Sequence, residues 1–281
     1  MVEFRLSTFT AADGDNLAVH EWRAETAVAQ RGIVVLVHGL GEHMGRYQHV
    51  AAQLTQWGFG VRGYDQYGHG ESGGGRGTLS SNMRLVDDLA DVVDSVRMRF
   101  GPRVPLIVLG HSMGALVAAA FVAAGTRPID GLVLSSPAFG VRPGPLQKLM
   151  LNWLPDFATD LAVRSGIKPE YLSRDPAVVA AYRADPLVHD RISARLARFI
   201  IEQGPRVVSV AAHWDTPTLL LFGGADRVVD AQASRRFAAA APPDMVSSRC
   251  FEIMAHEVFN EPERALAFNE LRRWLDARFP E

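Results

Sequence analysis

The sequence predicts an α/β fold, a mostly parallel central sheet with helices on both faces and a helical cap inserted late in the chain. Three observations predict it. Ile33 to Val37 is a short, wholly apolar, β-branched run, the composition of a strand buried on both faces. Such runs alternate along the chain with stretches of helical periodicity, which is the rhythm of a parallel sheet with crossover helices. From about Ala138 to Ser209 the rhythm stops: several prolines, no strong strand and short helical patches such as Leu146 to Leu154 read as an insertion. An insertion there lies over the carboxyl ends of the strands, where ligands bind in open α/β sheets.

The elements follow in order. Residues 2–10 and 16–24 alternate around Asp13-Gly14, which reads as an antiparallel hairpin. After the strand at Ile33 come a helix from Tyr47 to Trp57 and a strand from Gly58 to Asp65. That strand runs into the glycine-rich stretch Gly68 to Gly77. Leu85, Leu89, Val92, Val93 and Val96 stand at helical spacing between acids, so Ser81 to Phe100 reads as an amphipathic helix. Strand Pro105–Gly110, helix Ser112–Ala124 and strand Leu132–Ser135 complete the first part. After the insertion come strand Thr218–Phe222, helix Ala231–Ala241, strand Arg249–Met254 and a closing helix from Glu263 to Phe279. The expected division is a core of residues 1–137 and 210–281 with a cap of residues 138–209.

Composition narrows the function classes. The 281 residues are 48% hydrophobic and 21% charged, ordinary values for a globular chain. A net charge of −2 supplies no basic field for a nucleic-acid backbone, so no nucleic-acid partner is expected. The single cysteine, Cys250, excludes an intrachain disulfide framework and a cysteine-based zinc site, and reads as a buried structural thiol. The first residues lack the continuous apolar run of a signal peptide, and the longest apolar run, Ala115 to Ala124, is about half a membrane span. A cytoplasmic location is therefore expected.

The chemistry is carried by Gly110-His111-Ser112-Met113-Gly114, a G-x-S-x-G pentapeptide. Gly70-Glu71-Ser72-Gly73-Gly74 has the same spelling, and context separates the two. A nucleophilic serine needs a strand running in, a sharp strained turn and a helix running out. Leu106 to Leu109 and Ala115 to Phe121 supply these for Ser112, whereas Ser72 sits in glycine-rich loop. The Met113 amide then opens a helix and points where an oxyanion forms.

A serine hydroxyl needs an imidazole base, itself oriented by a carboxylate, and in this topology the order is serine, acid, histidine. His256 follows a strand and precedes the last helix, so it stands at the elbow's end of the sheet. His189 falls in the insertion, and His213 precedes a strand. Asp226 stands just past strand Thr218–Phe222, while Asp230 looks like a helix N-cap and Asp215 precedes the strand. A second oxyanion donor is expected from the loop after Val37, at the Leu40 amide. His38 reads as a structural hydrogen-bonder of that loop.

These segments resemble the monoacylglycerol lipase and lysophospholipase family of α/β-hydrolases. The resemblance lies in His38-Gly39-Leu40-Gly41-Glu42-His43 with Gly45-Arg46-Tyr47, in Gly68-His69-Gly70-Glu71-Ser72 and in the Ser112 pentapeptide. It continues through Asp185-Pro186-Leu187, Gly223-Gly224-Ala225-Asp226 and His256-Glu257-Val258-Phe259-Asn260-Glu261. The resemblance implies an α/β-hydrolase fold, a Ser112–Asp226–His256 triad and oxyanion donors at Leu40 and Met113. It also implies a mobile helical cap, a small acyl ester or thioester of a single-chain lipid as substrate, and no metal or organic cofactor. Two positions depart from it: Ala115, where members often carry glycine, and Leu40, often alanine in monoacylglycerol lipases. Substrate contact is expected from Gly39, His111 and Leu187, and from Leu149 and Trp153 of the cap. Leu146, Leu149, Met150, Leu151, Trp153, Leu154 and Phe157 crowd one stretch of the cap. That stretch suits a packed cap core, the lining of an acyl tunnel, or transient docking on micelles or membranes.

Rival readings fail on particular residues. Gly68-x-Gly70-x-x-Gly73 spells a dinucleotide fingerprint, but Gly74, Gly75 and Gly77 stand where an apolar helix must begin. Dehalogenase or epoxide hydrolase chemistry would want a carboxylate at position 112. A non-catalytic binder has no need of the serine, acid, histidine order. A carboxylesterase for small non-lipid esters uses the same triad and stays open.

Overall fold

The apolar runs become strands because their side chains alternate into two separate cores, one on each face of a sheet. The computed structural model describes residues 3–23, 31–141 and 161–280. The N-terminal hairpin is β1 (Glu3–Thr10) and β2 (Asn16–Arg23), paired antiparallel. Then come β3 (Gly32–Val37), β4 (Phe59–Tyr64), β5 (Leu106–His111), β6 (Gly131–Ser135), β9 (Thr218–Gly223) and β10 (Val246–Phe251). The sheet order is β1-β2-β4-β3-β5-β6-β9-β10, parallel throughout from β4 to β10. In β3, Ile33, Val35 and Val37 enter one core while Val34 and Leu36 enter the other, the two-residue period of a strand.

Helices cover both faces. α1 (Gln48–Gln56) and α7 (Arg264–Arg278) close one core; α2 (Arg84–Phe100) and α3 (Met113–Ala124) close the other. α3 is apolar on every side and buried from Met113 to Phe121, because the sheet, α2 and a later helix enclose it. Chain order reverses at β3 and β5: β4 goes to one side of β3, β6 to the other side of β5. The loops after β3 and β5 therefore diverge from a crevice at the carboxyl ends, the place where such sheets bind ligands.

The region from 161 to 209 is mostly helical, as the lost rhythm implies, but it also holds a small sheet. β7 (Ala162–Arg164) pairs antiparallel with β8 (Arg191–Ser193), each too short to leave an alternating signature. α4 (Pro176–Ala184) starts on Asp175, which caps the Ala177 amide. α5 (Ala194–Ser209) buries Leu196, Ala197, Phe199, Ile200 and Val207 in the same core as α3. α6 (Ala231–Ala240) follows β9.

Two expectations are corrected. The strand placed at Arg249–Met254 begins at Val246 and ends at Phe251; Ser247, Ser248 and Arg249 are exposed on this edge strand, so its start carries no apolar signal. Cys250 is half-buried rather than buried, with Arg235 Nη2 at 3.2 Å from its sulfur, and partial burial pushes its thiol up to about 11. Among the described residues no helix is long and apolar enough to cross a membrane.

Candidate active site

The site is built where β5 turns into α3. Ser112 has φ 54° and ψ −116°, one of two non-glycine residues with positive φ among those described. Such a backbone is strained for an L-residue and persists only where its surroundings enforce it. The surroundings do so by close packing. A Cβ at position 110 would meet Gly114 O at 2.4 Å, and one at 114 would meet Val37 O at 2.2 Å. Bare glycine on both sides lets the turn fold against the end of β3. The Ser112 amide donates to Ser135 O at 2.9 Å, and its carbonyl accepts from Ala138 and Leu116 at 3.1 Å.

His256 lies past β10 and Asp226 past β9, both at the crevice end of the sheet. His256 Nδ1 is 2.7 Å from Asp226 Oδ2, and His256 Nε2 is 2.8 Å from Ser112 Oγ. The other Asp226 oxygen accepts from the amides of Val228 at 2.7 Å and Val229 at 3.0 Å. Burial opposes a charged Asp226, but His256 and these two amides outweigh it and hold the carboxyl below its ordinary range. An ionised carboxylate only accepts, so His256 carries its proton on Nδ1. Nε2 is then left to accept from the serine hydroxyl. Burial also disfavours a charged imidazole, yet Asp226, with Glu257 and Glu42, raises the His256 pKa above its ordinary value. The arrangement can draw a proton from Ser112 Oγ and stabilise the imidazolium that results.

The loop after β3 supplies the opposite wall. Gly39 N donates to Glu42 Oε1 at 2.6 Å, so the next amide, Leu40, is left over. Neither the Leu40 nor the Met113 amide meets a protein acceptor among the described residues. His38 is structural, as its position suggests: Nδ1–H donates to Gly39 O at 2.8 Å and Nε2 accepts from Gln66 N at 2.9 Å. Ser72 is structural too, its hydroxyl donating to Asp65 O and accepting from Ala18 N. Asp230 caps α6, accepting from Gln232 N.

The cleft at Ser112 is lined by Gly39, Leu40, His111 and His256, by Glu42, Arg46 and Glu257, and by Ile167, Leu172, Tyr182 and Val228. It encloses about 20 Å³, room for about one water molecule. His111 packs its ring 4.8 Å from that of His256; burial and that neighbour lower its pKa to about 4, so it is neutral. Leu187 is not among the lining residues, and its amide donates to Asp185 Oδ1 instead. Leu149 and Trp153 lie outside the described residues. Tyr182, Ile167 and Leu172 escape sequence reasoning because isolated positions in an insertion carry no motif. Glu42 and Arg46 at a four-residue spacing were a signal, but nothing in the sequence joins them to Glu257. A larger groove of about 400 Å³, between residues 139–141, α5 and α6, shares no residue with this cleft.

The segments on either side of α4 dock on the same loops. His189 N donates to Gly41 O at 2.9 Å, and a Cβ on Gly41, whose φ is +76°, would meet His189 O at 2.2 Å. His43 Nε2 and Asp185 Oδ2 are 2.8 Å apart, and Glu257 N donates to Leu172 O at 2.8 Å.

Sheet order, helix layers and the turn at Ser112 together are those of an α/β-hydrolase. The chain belongs to the serine aminopeptidase, S33, family, whose model matches residues 28–263. It is 35% identical to a monoacylglycerol lipase of Mycolicibacterium smegmatis over 95% of each chain. It is 30% identical to a monoglyceride lipase of Rattus norvegicus over 95% of this chain and 89% of that one. Among solved structures it resembles the Paleococcus ferrophilus monoacylglycerol lipase, at 32% identity and a TM-score of 0.81, over 98% of this chain and 99% of that one.

Proposed function

We propose that Ser112 attacks the ester carbonyl of a single-chain lipid such as a monoacylglycerol, with His256 as base, Asp226 as its orienter and the Leu40 and Met113 amides as oxyanion donors. The chain is a carboxylic-ester hydrolase. The observation that carries the residue roles is His256 hydrogen-bonded through both ring nitrogens, to Ser112 on one side and Asp226 on the other. His256 takes the serine proton as Oγ attacks, then returns it to the departing alcohol. Water, activated by the same imidazole, hydrolyses the acyl-enzyme and regenerates the serine. Each oxyanion donor contributes about 3–4 kcal/mol of barrier lowering.

The aminopeptidase description of the family suggests a second reading, cleavage at a peptide N-terminus. An aminopeptidase needs a free carboxylate to meet the substrate ammonium. The carboxylates lining the cleft, Glu42 and Glu257, are both bonded to Arg46. That favours a neutral ester. Residues 138–209 are proposed as the cap over a core of 1–137 and 210–281, anchored by α5 against α3. The cap is further proposed to touch the micelle or membrane that holds such substrates, which co-sedimentation with zwitterionic vesicles checks.

The test is Ser112→Ala with a panel of monoacylglycerols, lysophospholipids, p-nitrophenyl esters of graded length and aminoacyl anilides. The variant should lose all ester turnover and all labelling by a fluorophosphonate, and the wild type should favour the monoacylglycerols. Turnover retained in Ser112→Ala overturns the residue roles; preference for the anilides overturns the substrate class.

A further inference from the structure

One buried guanidinium joins the two loops on which the proposed chemistry depends. Arg46 stands on the short 3-10 turn Met44–Tyr47, and its side chain is 11% exposed. Its Nη1 donates to Glu42 Oε2 and, at 2.9 Å, to Glu257 Oε1, while Nη2 donates to Glu257 Oε2 at 2.8 Å. Both carboxylates are 4% exposed. Glu42 uses its second oxygen to accept from Gly39 N at 2.6 Å and from Tyr47 Oη at 2.6 Å. Glu257 Oε2 accepts from Asn260 Nδ2 at 2.8 Å. The Tyr182 ring covers the guanidinium at 4.8 Å.

Glu42 thus grips the amide of Gly39, one residue before Leu40, and Glu257 directly follows His256. From this bridging we infer that Arg46 is a positioning residue, a strut that sets the distance between the Leu40 oxyanion amide and the His256 imidazole. The inference rests on the roles proposed above for Leu40, Ser112 and His256. Arginine suits the task because its planar fork holds the Glu257 carboxylate at two points while reaching the Glu42 carboxylate. Lysine would keep the charge and lose the fork.

The strut also sets the field at His256. The charged groups facing that imidazole are Asp226, Glu257 and Glu42, with neutral His111 alongside and Arg46 bonded to both glutamates. The two glutamates favour the imidazolium, and Arg46 is the cation bonded to both of them. Arg46→Gln should therefore raise the acid limb of the kcat/KM profile by about half a unit to one unit. Glu257→Gln should move the same limb the opposite way, to lower pH.

The experiment measures p-nitrophenyl ester hydrolysis from about pH 5 to about pH 9 for Arg46→Gln, Arg46→Lys and Glu257→Gln. Rates are normalised to sites titrated with a fluorophosphonate, so loss of folded protein does not count. In Arg46→Gln, kcat per titrated site should fall roughly ten- to a hundredfold with KM little changed, since a shift of about 1 Å in a reacting group has that order of effect. Arg46→Lys should restore the pH limb but not kcat. Limbs that do not move, with kcat per site intact, overturn the strut; so does a rise in KM alone, which would make Arg46 a substrate contact. Should Arg46→Gln not fold, Arg46→Lys decides: it keeps the charge and loses the fork, so kcat per titrated site equal to wild type counts against the proposal. Turnover in Ser112→Ala would instead overturn the reading on which the strut rests.

Discussion

Replacing Gly114 by alanine tests whether the serine turn and the Leu40 loop form one unit. An alanine Cβ there would lie 2.2 Å from Val37 O and 2.4 Å from His38 O. Real Cβ atoms do not approach closer than 3.0 Å, so the two backbones must separate by about 0.8 Å. Both obstacles are main chain, at the end of β3 and the start of the loop carrying Leu40, and neither can swing aside as a side chain would. The parting therefore falls between the Met113 amide, next to residue 114, and the Leu40 amide. Oxyanion donors act within about 2.7–3.1 Å of the developing charge, so a displacement of that size takes at least one of the two proposed donors out of range. Losing one donor costs about 3–4 kcal/mol of transition-state stabilisation, or roughly a hundred- to a thousandfold in kcat. The overpacked turn should also cost about 1–3 kcal/mol of stability, a few degrees in Tm for a chain of this length. The assay is hydrolysis of a short p-nitrophenyl ester, with rates expressed per site titrated by a fluorophosphonate and with Tm measured alongside. A Gly114→Ala enzyme with wild-type kcat and Tm would refute the close-packed turn and the shared oxyanion site together.

Asp226→Asn should lower kcat by about 10⁴-fold, because an amide can no longer demand the Nδ1 proton and the wrong tautomer becomes available. His256 must be neutral to act as a base, and Asp226 raises its pKa above 6.5, so the wild-type acid limb lies above that value and the variant's should lie lower. The same raised pKa stabilises the fold fully below pH 6.5, a contribution lost as pH rises through the raised value; denaturant titration across that window checks the sign. Ser72→Ala should keep full turnover while losing about 1–3 kcal/mol of stability, since it leaves the Ala18 amide and the Asp65 carbonyl without their partner. Loss of turnover at normal stability would make Ser72 a functional residue after all.

Sequence legibility followed the range of each signal. The central strands were readable because burial on both faces forces unbroken apolar runs, and β3, β5 and β6 match their expected positions to within a residue or two. The turn at Ser112 was readable because strand, glycines and helix are contiguous. Asp226 and His256 needed only their rank in the strand order, since every parallel strand delivers its following loop to the same end. The start of β10 was hidden because an edge strand shows Ser247, Ser248 and Arg249 to solvent and takes its register from β9. The sheet of β7 and β8 was hidden because three-residue strands have no period to detect.

The polar wall of the cleft was hidden for a different reason, and it bears on how the site is held. Arg46 and Glu257 are separated by 211 positions, and no local pattern marks either as the other's partner. Buried charge is costly unless matched, so one cation between two carboxylates persists only where further donors share the load. Gly39, Tyr47 and Asn260 are those donors, and each also belongs to a loop that frames Ser112 or His256. The docking contacts from residues 172, 185 and 189 land on those same loops, at Glu257, His43 and Gly41. An element leaning on the proposed strut's own residues has leverage on the distance between the proposed oxyanion amide and base. Substitutions at Asp185, which lies 2.8 Å from His43, should therefore alter kcat rather than substrate affinity alone, as steady-state kinetics per titrated site would show.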